Sequence, residues 1–486
     1  MRLTIGLDVG TSAIKGVLCG TDGAVRAQAR RSVAVIRPAE GFVEMDPEDH
    51  YRAVCEVVRE LASSCPKGDS VAALAMACAS GNTMLLDSSG APLRPIISWL
   101  DRRAAGRMGE LLPGLDLSTV AAVVGWPGLD SFPLAHLAWL RRHQADLFSR
   151  ASRVAMNIDW LTWRLTGAWA LDHSNATPFY LQDQVGRTWH APYLALLGIR
   201  EGRLSTLMPS GSVVGPLTAR AAADTGLSTD AMLVLGAFDH PSAARATGTL
   251  EEGELLLSCG TSWVGLYPCG NRELLLSQGM LVDPFRRPRG PWAGMFALTA
   301  IGVGVEWLID HLVLRSGSDG ADRYATFNAE AARAPRGAEG LFINPYRDAA
   351  YFEGRAAALG ARGPHQVARA VMEGTAFEMR RKIETLAGAG LLPRRINMVG
   401  GPSLSPVWPR ILAEVTGLEI EIVHGQVAGA VGAAALAGIG AGIFRDEQEA
   451  AQILAGQPLR VTPSDSGSRE YSRLFEGYQE FLRAGG

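Results

Sequence analysis

The sequence predicts an α/β protein built from two large domains. Its 486 residues exceed what one hydrophobic core usually supports, which favours two domains of about 240 residues each. Strand patterns alternate with amphipathic helix patterns along both halves, as at the helix pattern of residues 365–386. A Gly-Thr-Ser turn occurs near the start of each half, at residues 10–12 and 260–262. We therefore place the domains at residues 1–244 and 245–486.

The first of these turns lies within Ile5–Val17, which has the pattern of a β-hairpin. Apolar residues run up to Asp8 and resume after the turn. Such a turn exposes backbone N–H groups that can bind phosphate oxygens, and Asp8 at its edge can bind a metal ion. Because Leu256–Tyr267 repeats this pattern, the two stretches are predicted to be two copies of the same phosphate-binding hairpin.

Polar residues follow two strand patterns of the first half. Ser80, Gly81 and Asn82 come after the pattern of residues 71–79, and loops at strand ends are where ligands are usually bound. Trp99 and Asp101 end a second strand pattern, where a ring and a carboxylate are suited to binding a polyol. A solvated charge cluster beside a core tryptophan explains this second group equally well.

Asp239 and His240 follow an apolar strand pattern, and Pro241 can begin a helix directly after them. A carboxylate at this position is either a helix cap or a general base beside a bound hydroxyl. The spacing alone leaves both interpretations open. If Asp239 is functional, this is where the chemistry takes place.

Two glycine-containing stretches of the second half are candidates for nucleotide binding. Gly304 belongs to a Gly-x-Gly pattern that predicts a turn leading into a helix, either for phosphate binding or for packing. Gly400 and Gly401 end a strand pattern and begin a loop of small residues that extends to Ser405. Small residues let a flat base or a ribose approach the backbone, although a tight structural turn has the same pattern. The run 340–346 predicts a strand and a turn.

Composition excludes several classes of partner. The 46 basic and 49 acidic side chains give a net charge of −3, which favours neither nucleic acid nor an anionic membrane. The six cysteines form no Cys-x-x-Cys pair, which favours reduced, buried thiols. No secretory signal is visible, so a cytoplasmic location is expected. The uncharged run Val427–Phe444 is mostly Ala and Gly, which indicates a buried helix rather than a membrane span.

Taken together, these motifs resemble the FGGY family of carbohydrate kinases. The resemblance covers nearly the whole chain, including Arg369–Gly374 and Gly432–Ala434. It implies two actin-like (ribonuclease H-like) domains, each a mixed sheet flanked by helices, with ATP and a small sugar or polyol in the cleft between them. The implied site residues are Asp8 for Mg²⁺; Thr11, Ser12, Lys15, Gly260, Thr261 and Gly304 for the ATP phosphates; Gly400, Gly401 and Ser405 for adenosine; Asp239 as catalytic base; and Ser80, Gly81, Asn82, Trp99, Asp101 and His240 around the substrate.

The chain departs from the family pattern at the residues that usually orient the substrate. Xylulose kinases carry Gln-Met-His-Gly and glycerol kinases an Arg-Glu pair where this chain has Ala79-Ser80-Gly81-Asn82. Pro402 replaces a glycine and removes a backbone donor from the nucleotide loop. His240 either donates to a substrate hydroxyl or has a structural role. The sequence therefore does not name the sugar.

Three hypotheses follow. The first is ATP-dependent phosphorylation of a hydroxyl on a small ketose, such as xylulose, or on a polyol. The second is an actin-like ATP-binding scaffold without kinase activity, suggested by the changed residues 79–82. A dinucleotide-dependent oxidoreductase is disfavoured because no Gly-x-Gly-x-x-Gly begins a helix after the first strand. The oligomeric state stays open, and a homodimer is one alternative.

Overall fold

The computed structural model describes residues 1–128, 130–260, 262–298, 301–314 and 323–485. The chain forms two compact units, each assembled from three segments. The first unit contains Met1–Leu250, Gly270–Gly294 and Val427–Gly456, and the second contains Glu251–Cys269, Met295–Gln426 and Gln457–Gly486. Each unit has a mixed β-sheet with helices packed on it, so the predicted α/β fold class is confirmed. The domain boundary at residues 244 and 245 stays a prediction.

The first unit is built on a six-stranded sheet. Its N-terminal strand pairs antiparallel with the next strand and parallel with Ser70–Cys78, and the edge strand Val213–Pro216 is antiparallel to its neighbour. In sheet order the strands are Val213–Pro216, Met232–Val234, Ser70–Cys78, Arg2–Val9, Ala13–Cys19 and Val25–Ser32.

The sheet of the second unit repeats this order of strand directions. Its first strand again pairs antiparallel with the strand that follows it and parallel with a distant strand, and the last strand is antiparallel to its neighbour. We name Arg2–Cys19 the first hairpin and Glu254–Cys269 the second hairpin. In sheet order the seven strands are Leu281–Asp283, Trp292–Leu298, Trp263–Cys269, Glu254–Cys259, Arg395–Gly400, Glu419–Ile422 and Leu459–Val461.

Shorter strands and helices complete the two units. The short strands are Glu44–Met45, Met84–Leu86, Ile96–Ile97, Arg153–Ala155, Ala170–Asp172, Gln182–Asp183, Thr188–Trp189, Thr206–Met208 and Leu281–Asp283. The first unit's helices are Pro47–Ser63, Met108–Leu111, Leu117–Val124, Pro133–His143, Ala145–Arg150, Asn157–Thr166, His173–Ala176, Ala191–Leu197, Ala219–Thr225, Asp239–Thr247, Arg272–Ser277, Ala428–Gly440 and Glu447–Ala455. The second unit's helices are Ile301–Leu308, Arg323–Arg333, Ala349–Glu353, Ala356–Gly360, Pro364–Gly388, Trp408–Thr416 and Asp465–Arg483.

Helix Ala428–Gly440 packs unusually close to the first sheet. A Cβ atom on Gly6 would lie 1.9 Å from the carbonyl oxygen of Ala430, and one on Gly432 would lie 1.8 Å from the carbonyl oxygen of Ser242. Both sites therefore require glycine, because a Cβ atom cannot approach backbone so closely. This helix is the one predicted as buried from its Ala and Gly content. It holds the end of the first strand close to helix Asp239–Thr247.

Two expectations on the second unit are wrong. The run 340–346 contains the predicted turn, at residues 345 and 346, but not the predicted strand, since residues 341–344 carry no strand pairing. Phe342 instead contacts the rings of Phe377, Tyr478 and Phe481. Its apolar side chain therefore packs against helices Pro364–Gly388 and Asp465–Arg483. Gly304 does not lie in a turn before a helix but within helix Ile301–Leu308. A Cβ atom there would lie 2.9 Å from the carbonyl oxygen of Pro345, which accounts for the glycine by packing.

The cysteines agree with the sequence-based expectation of reduced, buried thiols. All the cysteines are free thiols, and all but Cys65 are buried. In the part of the chain that the structure describes, no helix is long and apolar enough to cross a membrane.

Asp159 gives the fold a testable pH dependence. Its buried carboxylate accepts hydrogen bonds from the N–H of Met156 and the hydroxyl of Ser205, at 2.7 and 2.6 Å. Burial raises its pKa to about 7. The folded protein therefore binds this proton more tightly than the unfolded chain, and its contribution to stability is present at low pH and lost as the pH rises through 7.

We expect Asp159→Asn to remove this contribution. The wild-type free energy of unfolding should gain, relative to the variant, about 1.4 kcal/mol per pH unit as the pH falls from 7 towards 5. Urea unfolding of both proteins at several pH values measures the difference. Asp116→Asn is the control, because Asp116 is an exposed helix cap whose pKa is lowered by Ser118 and its own cap hydrogen bonds. Parallel stability curves for wild type and Asp159→Asn would contradict the assignment.

Candidate active site

Asp8 is the charged group at the end of the first hairpin. It is mostly buried, lies opposite Lys15 in the strand pair, and precedes a turn closed by a 3.1 Å hydrogen bond from Gly10 N–H to the carbonyl of Ala13. Burial raises its pKa to about 6, Lys15 opposes this rise, and the nearby carboxylate of Asp239 adds to it. The first hairpin therefore brings a carboxylate, a lysine and a second carboxylate into one electrostatic neighbourhood.

Asp239 is the first residue of helix Asp239–Thr247. The N-cap position is Phe238, which makes no side-chain capping hydrogen bond. The carboxylate of Asp239 accepts the N–H of His240 at 2.7 Å, and 27% of its side chain is exposed. The carboxylate thus does not close the helix from the N-cap position, and part of it remains accessible to a ligand.

The loop Ser80–Asn82 uses its polar side chains inside the protein. The Ser80 hydroxyl donates to the amide oxygen of Asn175. The side-chain amide of Asn82 donates to Asn157 at 3.0 Å, and its oxygen accepts the N–H of Trp99 at 3.2 Å. Both side chains are about 98% buried or more. They hold the loop in shape rather than presenting free donors.

Gly81 has φ of +100°, which favours glycine at this position. A Cβ atom there would lie 2.7 Å from the ring of Phe132. That ring packs against Trp126 and Tyr180, with ring centroids 5.6 and 5.2 Å away. The aromatic side chain of Phe132 therefore occupies the space beside the loop. Sequence reasoning missed Phe132, because nothing local to it indicates this contact.

Trp99 and Asp101 have different surroundings. The indole N–H of Trp99 donates to the hydroxyl of Thr11 at 2.9 Å, which links this strand end to the turn of the first hairpin. Asp101 is fully buried and bound by Arg103, with N–O distances of 2.8 Å, and by the N–H of Val43. Burial opposes its ionisation, but the hydrogen bonds from Arg103 and Val43 lower its pKa below the usual value. The alternative interpretation of this strand end as a solvated charge cluster is wrong, because the ion pair between Asp101 and Arg103 is buried.

The second unit brings Gly260 and Gly400 to the ends of neighbouring parallel strands. Gly400 has φ of +95°, and a Cβ atom there would lie 2.0 Å from the carbonyl oxygen of Cys259. Gly401 faces open space, with its nearest neighbour, the side chain of Gln426, 3.9 Å from a Cβ position. The space beside Gly401 is therefore open, and a larger side chain at this position would fill it. Thr261 lies outside the described residues.

Ser405 has a structural role in addition to its predicted one. Its hydroxyl donates to Asn328 at 2.6 Å and accepts the N–H groups of Val407 and Trp408 at the start of helix Trp408–Thr416. Gly304, by contrast, contacts the segment around Pro345.

The described residues contain no group of three or more His, Cys, Asp or Glu side chains that could bind a metal ion by themselves. Mg²⁺ is commonly bound by one or two carboxylates, with phosphate oxygens and water as the other ligands. Asp8 fits that role, because a cation would compensate a buried carboxylate whose pKa is raised. The residues present are therefore compatible with Mg²⁺ bound to a nucleotide.

Comparison with known proteins identifies the class. Residues 3–245 match the FGGY family of carbohydrate kinases, N-terminal domain, and residues 255–441 match its C-terminal domain. A xylulose kinase of Escherichia coli is 27% identical over 94% of this chain and 93% of the relative. An autoinducer-2 kinase of Salmonella choleraesuis is 25% identical over 97% of this chain and 92% of the relative.

A solved structure supports the same relationship. The crystal structure of xylulose kinase from Rhodospirillum rubrum has a TM-score of 0.83 and 27% identity, covering 99% of this chain and 98% of that one. The protein is therefore an enzyme that phosphorylates carbohydrates, and the scaffold and oxidoreductase hypotheses are set aside. The chain belongs to the FGGY family of carbohydrate kinases, as its motifs predicted.

Proposed function

We propose that this kinase transfers the γ-phosphoryl group of ATP to a hydroxyl of a small ketose or polyol, with Asp239 as general base. Xylulose is the first candidate substrate, because proteins that are similar to this chain over nearly its whole length are named xylulose kinases. The observation that carries the proposal is the Asp239 carboxylate, which is partly exposed, does not occupy the N-cap position and is electrostatically coupled to Asp8.

Phosphoryl transfer depends mainly on alignment and on stabilisation of charge. In the proposed reaction the Asp239 carboxylate accepts the proton of the attacking hydroxyl. The hydroxyl oxygen forms the new bond to the γ-phosphorus while the bond from that phosphorus to the bridging oxygen breaks, and ADP leaves. We propose that the positive charge of Lys15, which lies opposite Asp8 in the first hairpin, offsets negative charge on phosphate oxygens. Asp8 is the side chain that would hold Mg²⁺, which would supply positive charge beside the phosphates. We propose that His240, beside Asp239, donates to another substrate hydroxyl.

We propose candidate ATP-binding residues in each unit separately. In the first unit we propose Thr11, Ser12 and Lys15 at the phosphates. In the second unit, Gly260 and Thr261 would contact phosphates, and Gly401 leaves room for adenosine beside Gly400. Gly304 and Ser405 would contribute mainly through the segments that they position, since both have packing or capping roles. ATP binding is characteristic of the family, and these assignments are proposals.

Substrate choice in this proposal depends on shape. Ser80 and Asn82 are buried and bound within the protein, and Asp101 is held by Arg103. Of the residues predicted around the substrate, those left to contact a sugar directly are the partly buried Trp99, Asp239, His240 and the loop backbone near Gly81. We therefore expect fewer direct polar contacts to the substrate from this loop than its position suggests.

A panel of ketoses, alditols and aldonates tests the proposal. The purified protein is incubated with ATP and Mg²⁺ and each compound in turn, and ADP release is measured together with the mass of the product. We expect ADP to form only with a suitable sugar or polyol and to be matched by one phosphorylated product. Sugar-independent ATP hydrolysis, with no phosphorylated product across the panel, would contradict the proposal.

A further inference from the structure

Ser174 lies between a buried carboxylate and the peptide that precedes Asp239. Its hydroxyl donates to the carboxylate of Asp283 at 2.7 Å and accepts the N–H of Phe238 at 3.1 Å. The other oxygen of Asp283 accepts the N–H of Phe285 at 2.7 Å. Ser174 and Asp283 are at most 1% exposed. The backbone donor at the N-cap of the Asp239 helix is thus satisfied by a side chain from another segment.

Asn175, the next residue, connects to a different part of the site. Asp172 caps the short helix His173–Ala176 by accepting the backbone N–H of Asn175 at 2.8 Å and its side-chain amide at 2.6 Å. These bonds fix the amide so that its oxygen accepts the hydroxyl of Ser80. The segment Asp172–Asn175, which we name the linking turn, therefore contacts both Phe238, the residue before Asp239, and the substrate loop.

We infer that the linking turn positions the catalytic base relative to the substrate loop, with Ser174 and Asn175 as positioning residues. This inference rests on the proposed role of Asp239. The sequence indicated only a polar turn here, and the signal that could have found it is the Asp-x-x-Asn spacing of a helix cap. Both contacts come from neighbouring buried residues of one hydrogen-bonded turn, so a change at either end displaces one partner relative to the other.

The charge of Asp283 determines the direction of the Ser174 hydrogen bonds. A serine hydroxyl has one proton, and an ionised carboxylate can only accept it. The lone pairs of the hydroxyl are then left to accept the N–H of Phe238. Without the Ser174 hydroxyl, this N–H would lose its partner in a buried environment, which is costly, and the first turn of the helix would shift. Because a misplacement of about 1 Å can cost a hundredfold in rate, the effect should appear in turnover.

Kinetic analysis of matched variants tests the inference. We expect Ser174→Ala to lower kcat by about 10- to 100-fold with little change in the KM for ATP, and Ser174→Thr to restore most of the turnover. Asn175→Ala should mainly raise the KM for the sugar, by about tenfold, because it releases Ser80 and the substrate loop. Asp283→Asn retains the side-chain shape but only one acceptor oxygen, so it should give an intermediate kcat.

Ser205→Ala is the matched control. Ser205 is a buried serine that donates to the buried carboxylate of Asp159, and the other oxygen of Asp159 accepts a backbone N–H. Ser174 and Asp283 have the same arrangement. It should lose similar stability in urea unfolding while kcat stays near the wild-type value. Equal kinetics for Ser174→Ala and Ser205→Ala would overturn the inference. If Asp239→Asn turned over normally in the same assay, the proposed function itself would fail, so the two failures are distinguishable.

Discussion

Replacing Asp239 with asparagine is expected to lower kcat at least about a hundredfold while ATP binding stays nearly unchanged. Asparagine keeps the size of the side chain and can still accept the N–H of His240, but it cannot take a proton from the attacking hydroxyl. The KM for the sugar should change less than kcat, because the loss falls on the transition state. Steady-state kinetics and calorimetric titration with ATP measure the two effects separately.

The control for this variant is Asp465→Asn. Asp465 is also the first residue of a helix, Asp465–Arg483, and is exposed. Both changes remove a negative charge from a helix N-terminus, and the interaction of such a charge with the helix dipole contributes about 0.3–1 kcal/mol to stability. A general loss of helix stability would therefore appear in both variants. We expect Asp465→Asn to keep normal turnover. Normal turnover in Asp239→Asn as well would exclude Asp239 as the base.

The sequence predicted the repeated hairpin because the pattern is local. Apolar strands around a Gly-Thr-Ser turn specify a hairpin wherever they occur, and both hairpins are present. Their connections still differ, since Val9 pairs with Ile14 in the first and Cys259 with Trp263 in the second, one residue closer. The order of the strands within each sheet could not be read from these local patterns, because it depends on pairing between strands far apart in the chain.

Predictions were weaker where tertiary contacts decide a residue's role. Asp101 has the same sequence features whether it is solvated or buried, and only the approach of Arg103 and the backbone of Val43 distinguishes these states. Gly304 resembles a phosphate-binding glycine, but the backbone around Pro345 accounts for it by packing. Ser174 gave no local signal, because its partners Asp283 and Phe238 lie in distant segments of the chain.

Gly432→Ala should have a large effect on stability. Since a Cβ atom at this position would lie 1.8 Å from the carbonyl oxygen of Ser242, helix Ala428–Gly440 and helix Asp239–Thr247 would have to move apart by more than about 1 Å. We expect the free energy of unfolding to fall by about 3 kcal/mol, despite the higher helix propensity of alanine. Denaturant unfolding measures this loss.

Gly429→Ala, in the same helix, separates packing from propensity. Its nearest neighbour is the carboxyl carbon of Asp8, 3.3 Å from a Cβ position, so the backbone can stay in place. We expect little loss of stability there, but lower turnover because a methyl group would crowd Asp8. Gly432→Ala should lose turnover together with stability, since it moves the Asp239 helix away from the first strand. Equal stability of Gly432→Ala and Gly429→Ala would contradict this prediction. It would mean that the close contact between helices Ala428–Gly440 and Asp239–Thr247 does not hold Asp239 near Asp8.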